Sequence, residues 1–177
     1  MNHSIENSAI LFVDIINHFD FDGSKKLHEH TKEILPDLKK LKQYGKENSI
    51  PIIYINDHYG LWQADFKKII DHCDNDWSHD IIHTLKPDQD DYFLIKPQHS
   101  AFFQTPLHSL LSELGKTNLI MAGVAGDICI LFSAKDAYMH GYSMHVPKNC
   151  MASERKENNE YALYLMQSVM DANTEPI

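Results

Sequence analysis

Short apolar runs recur along the chain, and each is followed by a polar residue, a proline or a glycine-containing turn. Runs of this length bounded by turn residues are typical of buried strands in a parallel sheet. We therefore predict strands at 9–13, 50–55, 92–95, 119–124 and 142–146.

The segments between these runs carry apolar residues at helical spacing. One stripe covers 27–41, where Pro36 predicts either a kink or a later start of the helix. A second stripe covers 66–73. The acidic and polar segments at 71–80 and 86–91 predict a surface excursion between the second and third strands.

Three further helices are predicted from their end signals. Thr105 is expected to cap a helix that ends at Gly115. Asp127 is expected to cap a helix over 128–138, whose first turns are apolar nearly all round, as in a central helix covered on several sides. Ser153 is expected to cap the last helix.

Strands that alternate with helices predict βαβ units, right-handed crossovers and a three-layer α/β sandwich. The length of 177 residues suits one domain, and no repeat or linker divides the chain. We therefore expect a single domain over 1–177, with a loose tail at 173–177.

The formal charge of −9 at pH 7 argues against a nucleic-acid or anionic-membrane surface and favours a small molecule or another protein as partner. The N-terminal stretch MNHSIENSAILFVDII shows neither a secretory signal nor a membrane span, so a cytoplasmic location is expected. The cysteines Cys73, Cys129 and Cys150 lie far apart without CxxC spacing, which favours reduced thiols.

Reactive side chains follow several of the predicted strands. In open α/β sheets ligands bind beyond the carboxyl ends of the strands. Asp14 ends the first strand, Asp57 follows the second, Lys96 follows the third, and a glycine-containing turn leads from the fourth to Cys129. Taken singly, these residues have plain explanations as a loop cap, a solvated charge and a core thiol, and only their convergence favours an enzyme.

A thiolate is the nucleophilic form of cysteine, and a helix N-terminus or a nearby lysine lowers the thiol pKa. Cys129 is expected to have both advantages. Asp14 could accept the thiol proton, while Lys96 could keep Asp14 ionised and balance the charge. If Cys129 is such a nucleophile, it should be alkylated at pH values well below ~8.5, the ordinary pKa of a cysteine thiol.

The stretches ILFVDIINHF, YFLIKPQHSAFF and LIMAGVAGDICILFSAKDAYMHGY resemble the isochorismatase-like cysteine hydrolases, a family that includes nicotinamidases and N-carbamoylsarcosine amidohydrolase. The resemblance extends over nearly the whole chain. It implies a three-layer α/β/α Rossmann-like fold with a mostly parallel sheet of about six strands. It also implies a catalytic triad in which Cys129 attacks an amide-like carbonyl, Asp14 is base and then acid, and Lys96 tunes both.

The resemblance further implies a cis peptide between Val124 and Ala125, with the backbone N–H groups of Ala125 and Cys129 forming an oxyanion hole. Gly123 and Gly126 would supply backbone freedom. Many members of the family carry Thr where this chain has Gly126.

Nicotinamidases resemble one another in an Asp-x-His pair after the second strand, with a further His beyond. Here Tyr59 stands at the second ligand position, so the resemblance implies no metal and no other cofactor. Elsewhere, no spacing matches a standard zinc motif, and surface histidines with a core cysteine are the expected explanation of one mixed cluster, formed by His72, Cys73, Asp74, Asp76 and His79.

A small apolar pocket is expected from Phe19, Trp62, Ser100 and Phe102, which follow predicted strand ends, although core packing or a subunit contact would explain the aromatics equally well. The main hypothesis is therefore hydrolysis of a C–N bond in a small amide, imide or carbamoyl compound by a dimer or tetramer. One alternative is vinyl-ether hydrolysis of isochorismate. Another is a non-catalytic binding or assembly protein that uses the apolar helix at 128–132 as an interface.

Overall fold

The computed structural model describes residues 5–177. Residues 1–4, which belong to the stretch predicted to lack a secretory signal, lie outside the described part. One six-stranded sheet occupies the centre, with strand order β3-β2-β1-β4-β5 and with β6 also paired to β4. All of these pairs are parallel. The strands are β1 (Ser8–Val13), β2 (Ile52–Asp57), β3 (Tyr92–Lys96), β4 (Asn118–Val124), β5 (Ser143–His145) and β6 (Met151–Ala152).

Helices cover both faces of this sheet, because successive residues of each central strand point to opposite faces and nearly all of them are apolar and buried. Buried residues of α1 (Ser24–Glu47), α2 (Phe66–Cys73) and α3 (His79–Leu85) pack on one face. Those of α4 (Leu107–Glu113), α5 (Leu131–Met139) and α6 (Lys156–Met170) pack on the other. The predicted three-layer α/β/α architecture is confirmed.

Two features of the first layer differ from the local sequence signals. Helix α1 runs through Pro36 without interruption, because buried Leu27, Leu38 and Leu41 hold both halves against the sheet. Helix α3 overlaps the predicted surface segment 71–80 only at His79 and Asp80, and it buries Ile81 and Leu85 in the core before the second surface segment begins. Packing of an apolar stripe outweighs the weak local helix signals in both cases.

The ends of α4 nearly match the prediction. Its N-cap position is Pro106, while the Thr105 hydroxyl accepts a hydrogen bond from the Leu107 N–H at 3.3 Å. Gly115 follows the helix with φ 65°, the left-handed conformation that favours glycine at helix ends. The predicted stop at Gly115 is therefore confirmed, and the start is displaced by one residue.

The C-terminal tail is attached to β5, so the prediction of a loose tail is wrong. Asn173 accepts a hydrogen bond from the Val146 N–H at 2.7 Å and donates its own N–H to Met144 O at 2.9 Å. His145 Nε2 lies 2.8 Å from Glu175 O. An edge strand offers unpaired backbone groups, and the polar tail residues satisfy them.

Helix α5 is less covered than its apolar sequence predicts. Phe132 is 50% exposed and Met139 is 71% exposed, whereas Ala134 and Ala137 are buried against the sheet. The prediction of a helix covered on several sides is therefore wrong for its outer face. Among the described residues, none of the helices has the length and apolar character needed to cross a membrane.

Candidate active site

The carboxyl ends of β1, β2, β3 and β4 meet at one edge of the sheet, because the strands are parallel neighbours. Val13, the last residue of β1, pairs with both Ile55 and Gly123. Asp57 at the end of β2 pairs with Lys96 at the end of β3. The register therefore brings the residues after these strands together, as the strand-end rule predicts.

Asp14 follows β1 and adopts φ 50°, a left-handed conformation that is uncommon outside glycine and is often found at functional sites. Its carboxylate is nearly buried and accepts a hydrogen bond from the Asp57 N–H at 2.8 Å. The other carboxylate oxygen lies 2.8 Å from Lys96 Nζ. The carboxylate is therefore held by one backbone donor and one ammonium group.

Lys96 is a buried cation, and its side chain is only 2% exposed. Its Nζ contacts Asp14, donates to Gln98 O at 3.1 Å and lies 3.6 Å from Cys129 Sγ. Burial alone lowers the pKa of Lys96, but the neighbouring Asp14 carboxylate and Cys129 sulfur raise it overall. The amine is therefore charged and has a partner for each of its three hydrogens.

Cys129 lies in a π-helical turn, Gly126–Ile130, that continues directly into α5. Burial raises the pKa of its thiol well above the ordinary range, and the Asp14 carboxylate raises it further, while Lys96 opposes both only in part. The predicted lowering of this pKa is therefore wrong. Desolvation and a nearby negative charge both disfavour the thiolate.

The Cys129, Asp14 and Lys96 side chains carry a neutral thiol, a carboxylate and an ammonium group, which together have no net charge. Transfer of the thiol proton to Asp14 leaves that sum unchanged and places the new thiolate beside Lys96 Nζ, 3.6 Å away. A buried site tolerates such an internal transfer better than the loss of a proton to solvent. The arrangement can produce a nucleophile when a substrate is present.

The turn between β4 and Cys129 is densely packed. The peptide bond between Val124 and Ala125 is cis. Gly123 has φ 129°, and a Cβ atom there would meet Val13 O. A Cβ atom at Gly126 would meet the Asn159 side chain, so close approach rather than backbone freedom accounts for this glycine.

Asp127 and Ser153 do not cap helices, so both predictions are wrong. The turn that carries Cys129 has Ala125 at its N-cap position, and α6 has Arg155 there. The Ser153 hydroxyl instead accepts from the Asp127 N–H at 3.0 Å and donates to Asn159 Oδ1 at 2.7 Å. This network connects the turn that carries Cys129 to α6, and Asn158 adds a hydrogen bond from Nδ2 to Asp127 Oδ2 at 3.0 Å.

Sequence reasoning missed the groups that hold the segment after Asp14. Buried Asn56 accepts from the Ile16 N–H at 3.1 Å and donates to Ile16 O at 2.9 Å. The Tyr59 hydroxyl donates to the same carbonyl at 3.0 Å. The sequence signal for this role is Asn56 itself, a polar amide at the end of an apolar strand, because a buried amide needs hydrogen-bond partners.

His99 also contacts the sulfur, with Nδ1 3.9 Å from Cys129 Sγ. Its ring also packs against Phe132, with centroids 5.7 Å apart. A single histidine three residues after a strand is too weak a sequence signal to predict a role at the site. Its position beside the thiol places it at the edge of the candidate site.

The residues predicted to line a substrate pocket occupy different environments. Trp62 is 65% exposed and stacks on His58 with centroids 4.0 Å apart. Phe19 packs in the core on the α1 face and also lines a surface cavity beside Ser24 and Trp77, and its role in a substrate pocket stays a prediction.

The other two predicted pocket residues have structural partners. Ser100 Oγ donates to Asp136 Oδ2 at 2.6 Å and accepts from the Phe102 N–H at 3.2 Å. Phe102 packs in the core beside His140 and Tyr142, and its place in a substrate pocket stays a prediction.

The donor groups after β2 do not fit the metal site of nicotinamidases. Asp57 accepts a hydrogen bond from the Tyr59 N–H at 2.7 Å, and His58 Nδ1 accepts from the Gly60 N–H at 2.9 Å. Tyr59 directs its hydroxyl to a backbone carbonyl, as described above. Within residues 5–177, the clusters with metal-ligating geometry lie elsewhere, between α2 and α3 and before β3.

Comparison with known proteins places this geometry in a family. The chain matches the isochorismatase domain over residues 8–174. It is 52% identical to the uncharacterized isochorismatase family protein YaaI of Bacillus subtilis over 166 residues, which cover 94% of this chain and 92% of that protein. The chain belongs to the isochorismatase family. Membership makes this isochorismatase-family chain a hydrolase, and the predicted resemblance is confirmed.

Solved structures agree with this assignment. The nicotinamidase SaPncA of Staphylococcus aureus superposes on the isochorismatase-family chain with a TM-score of 0.75 and 25% identity, covering 96% of this chain and 97% of that one. N-carbamoylsarcosine amidase of Thermoplasma acidophilum superposes with a TM-score of 0.73 and 21% identity, covering 96% of both chains. The second similarity shows the shared fold.

Proposed function

We propose that this chain hydrolyses a C–N bond of a small amide, imide or carbamoyl compound through an acyl-enzyme on Cys129. The observation that carries the proposal is the position of Lys96 Nζ, 2.8 Å from Asp14 and 3.6 Å from the Cys129 sulfur. One buried cation thus contacts the candidate base and the candidate nucleophile. The amidases among its relatives support the same reaction class.

In the first half of the proposed reaction, Cys129 transfers its proton to Asp14 and its sulfur forms a bond with the substrate carbonyl carbon. Lys96 stabilises the negative charge on sulfur before attack. Asp14 then donates the proton to the leaving nitrogen, and the C–N bond breaks to release an amine or ammonia. A thioester remains on Cys129.

In the second half, a water molecule attacks the thioester carbonyl and gives a proton to Asp14. The C–S bond breaks, the carboxylic product leaves, and the proton returns to the sulfur of Cys129. In both halves the backbone N–H groups of Ala125 and Cys129 are proposed to bind the oxyanion, since backbone donors near a nucleophile supply this stabilisation in acyl transfer. Atoms and protons balance over the cycle without a redox partner.

A small uncharged or cationic substrate agrees with the net charge of −9. The His99 ring beside the sulfur, which packs against Phe132, favours a compact compound with a planar or apolar portion. We place the reaction in the cytoplasm, where reduced cysteines persist, and we retain the expectation of a homo-oligomer.

The test is a screen of small amides, imides and carbamoyl compounds for ammonia or amine release by the purified chain. Cys129→Ala should abolish release from any substrate found, and mass spectrometry of quenched parent enzyme should detect an acyl adduct on Cys129. Cys150→Ala is the matched control, because Cys150 is buried elsewhere in the core. Turnover that survives in Cys129→Ala would overturn the covalent mechanism.

A further inference from the structure

The turn between α2 and α3 brings together a carboxylate and two imidazoles. His79 Nδ1 lies 3.0 Å from Asp74 Oδ1, and His83 Nε2 lies 3.0 Å from Asp74 Oδ2. The two imidazole rings face each other with centroids 4.1 Å apart. We infer that Asp74, His79 and His83 form a binding site for a divalent transition-metal ion of the zinc and nickel class.

Helix geometry gives this pair of histidines its common direction. His79 and His83 are four residues apart on α3, so they lie on the same helix face one turn apart. A histidine pair at this spacing is a recognised arrangement for holding one zinc ion between two turns of a helix. Asp74 comes from the end of α2 and supplies the third ligand from a separate element.

The separations match those of a metal site. Ligand atoms at ~2.1 Å from a tetrahedral zinc ion lie about 3.4 Å from one another. Both carboxylate–imidazole distances are 3.0 Å, and the ligand atoms of all three residues lie within 4.8 Å of one another. Small side-chain rotations are therefore enough to bind an ion, and its remaining positions would face solvent.

The backbone that carries the three ligands is rigid. Buried Ser78 donates its hydroxyl to Cys73 O at 2.6 Å and accepts from the Asn75 N–H at 2.9 Å. Asn75 Oδ1 accepts from the N–H groups of Trp77 at 2.8 Å and Ser78 at 3.1 Å. Hydrogen bonds of this kind fix a turn before any ligand binds, which lowers the entropic cost of binding.

The choice of metal follows from the donor types. Two imidazoles with one carboxylate suit zinc, nickel or copper, whereas magnesium and calcium prefer oxygen donors. The acidic cluster before β3 differs because a cationic side chain already occupies it. Lys46 Nζ lies 3.3 Å from Asp88, 3.0 Å from Asp90 and 2.6 Å from Asp91. Within residues 5–177, the ion pairs of Asp74 go to the two histidines alone.

The sequence did not indicate this site. For the cluster that contains Cys73, Asp74 and His79 the sequence predicts surface histidines with a core cysteine, and Cys73 is fully buried in the core. His83 completes the set only because the segment folds into α3. The inference is independent of the proposed amidase reaction, since none of the three ligands belongs to the candidate triad.

The site is tested by isothermal titration of the full-length, chelator-treated protein with zinc chloride. We use the Cys129→Ala background, so that the partly exposed thiol does not compete for zinc. We expect one saturable site, at least tenfold weaker binding in His79→Ala and in His83→Ala, and no comparable response to magnesium. His108→Gln is the matched control, because it removes an exposed histidine outside the cluster.

A second readout separates metal binding from folding defects. Melting curves of the metal-free variants should match that of the parent, while zinc should raise the Tm of the parent and of His108→Gln but not of His79→Ala. Cobalt should give the visible absorption of a tetrahedral nitrogen-ligated site in the parent only. Equal zinc affinity in the parent and in the double variant His79→Ala/His83→Ala would overturn the inference. The absence of saturable zinc binding in the parent would overturn it as well.

Discussion

The Asp14 carboxylate and the Lys96 ammonium group lie 2.8 Å apart, and their side chains are only 8% and 2% exposed. Asp14 follows β1 and Lys96 ends β3, and β2 lies between these two strands in the sheet. Neither charge has solvent to stabilise it, so each depends on the other. The proton chemistry of Cys129 and the stability of this edge of the sheet therefore depend on the same pair.

Asp14→Asn should separate proton transfer from thiol reactivity. Loss of the base should lower turnover by about 10²–10⁴-fold. The carboxylate also raises the pKa of the Cys129 thiol, so its removal should increase the thiolate fraction and accelerate alkylation at pH 8.5. Iodoacetamide labelling followed by mass spectrometry measures this rate, and slower labelling in the variant would contradict the proposed charge arrangement.

Lys96→Met should destabilise the fold more than the corresponding double variant does. The single change leaves the Asp14 carboxylate buried without its cation, which costs about 3–5 kcal/mol of unfolding free energy. Asp14→Asn in the same chain removes that charge and should recover a large part of the loss in urea unfolding. Lys156→Met is the control, because its ion pair with Glu33 is exposed and should contribute little.

Alkaline pH should weaken the fold through two buried thiols. Burial raises the pKa of Cys73 and of Cys150 to about 12. In the unfolded chain these thiols have a pKa of ~8.5, so above that pH the unfolded state loses protons that the folded state keeps. Their stabilising contribution is therefore complete below that pH and falls as the pH rises toward 12. The expected slope is about 1.4 kcal/mol per pH unit for each thiol.

Urea unfolding between pH 8 and pH 11 measures this slope. Cys73→Ala/Cys150→Ala should flatten it, and the decline that remains should come from Cys129 and from tyrosines, because burial also raises the pKa of Cys129 and of Tyr54. A slope unchanged by the double substitution would show that these thiols are not responsible.

Gly126 and Asn159 should be energetically coupled. A Cβ atom at Gly126 would meet the Asn159 side chain, so Gly126→Ala should cost about 1–3 kcal/mol through overpacking. The same change in an Asn159→Ala background should cost less, as a double-mutant cycle by urea unfolding would show. Gly115→Ala, where an added Cβ meets nothing within 4 Å, should show no such coupling. Equal costs for Gly126→Ala in both backgrounds would exclude the contact.

The candidate triad was predictable because each member occupies a position with a clear local signal. Asp14 and Lys96 interrupt or end apolar strands, and Cys129 follows a glycine-containing turn. In a parallel sheet those positions share one edge, so residues far apart in the chain can be placed together by topology alone. The strand and helix pattern predicted the layers for the same reason.

The pKa of Cys129 could not be predicted in this way. A helix start and a nearby lysine both favour a thiolate, but the degree of burial and the distance to Asp14 arise only after packing, and they act in the opposite direction. The positions of Ser100 and Phe102 likewise depend on which neighbours occupy the adjacent helix face.

The sequence by itself determined the family, the order of the elements and the identity of the three candidate catalytic side chains, because periodicity and strand ends are local properties of the chain. Only the tertiary structure decided the charge state of the thiol, the attachment of the tail to β5 and the convergence of Asp74, His79 and His83. Those features depend on distances between segments that no local pattern specifies, and electrostatic and hydrogen-bond energies change steeply with such distances.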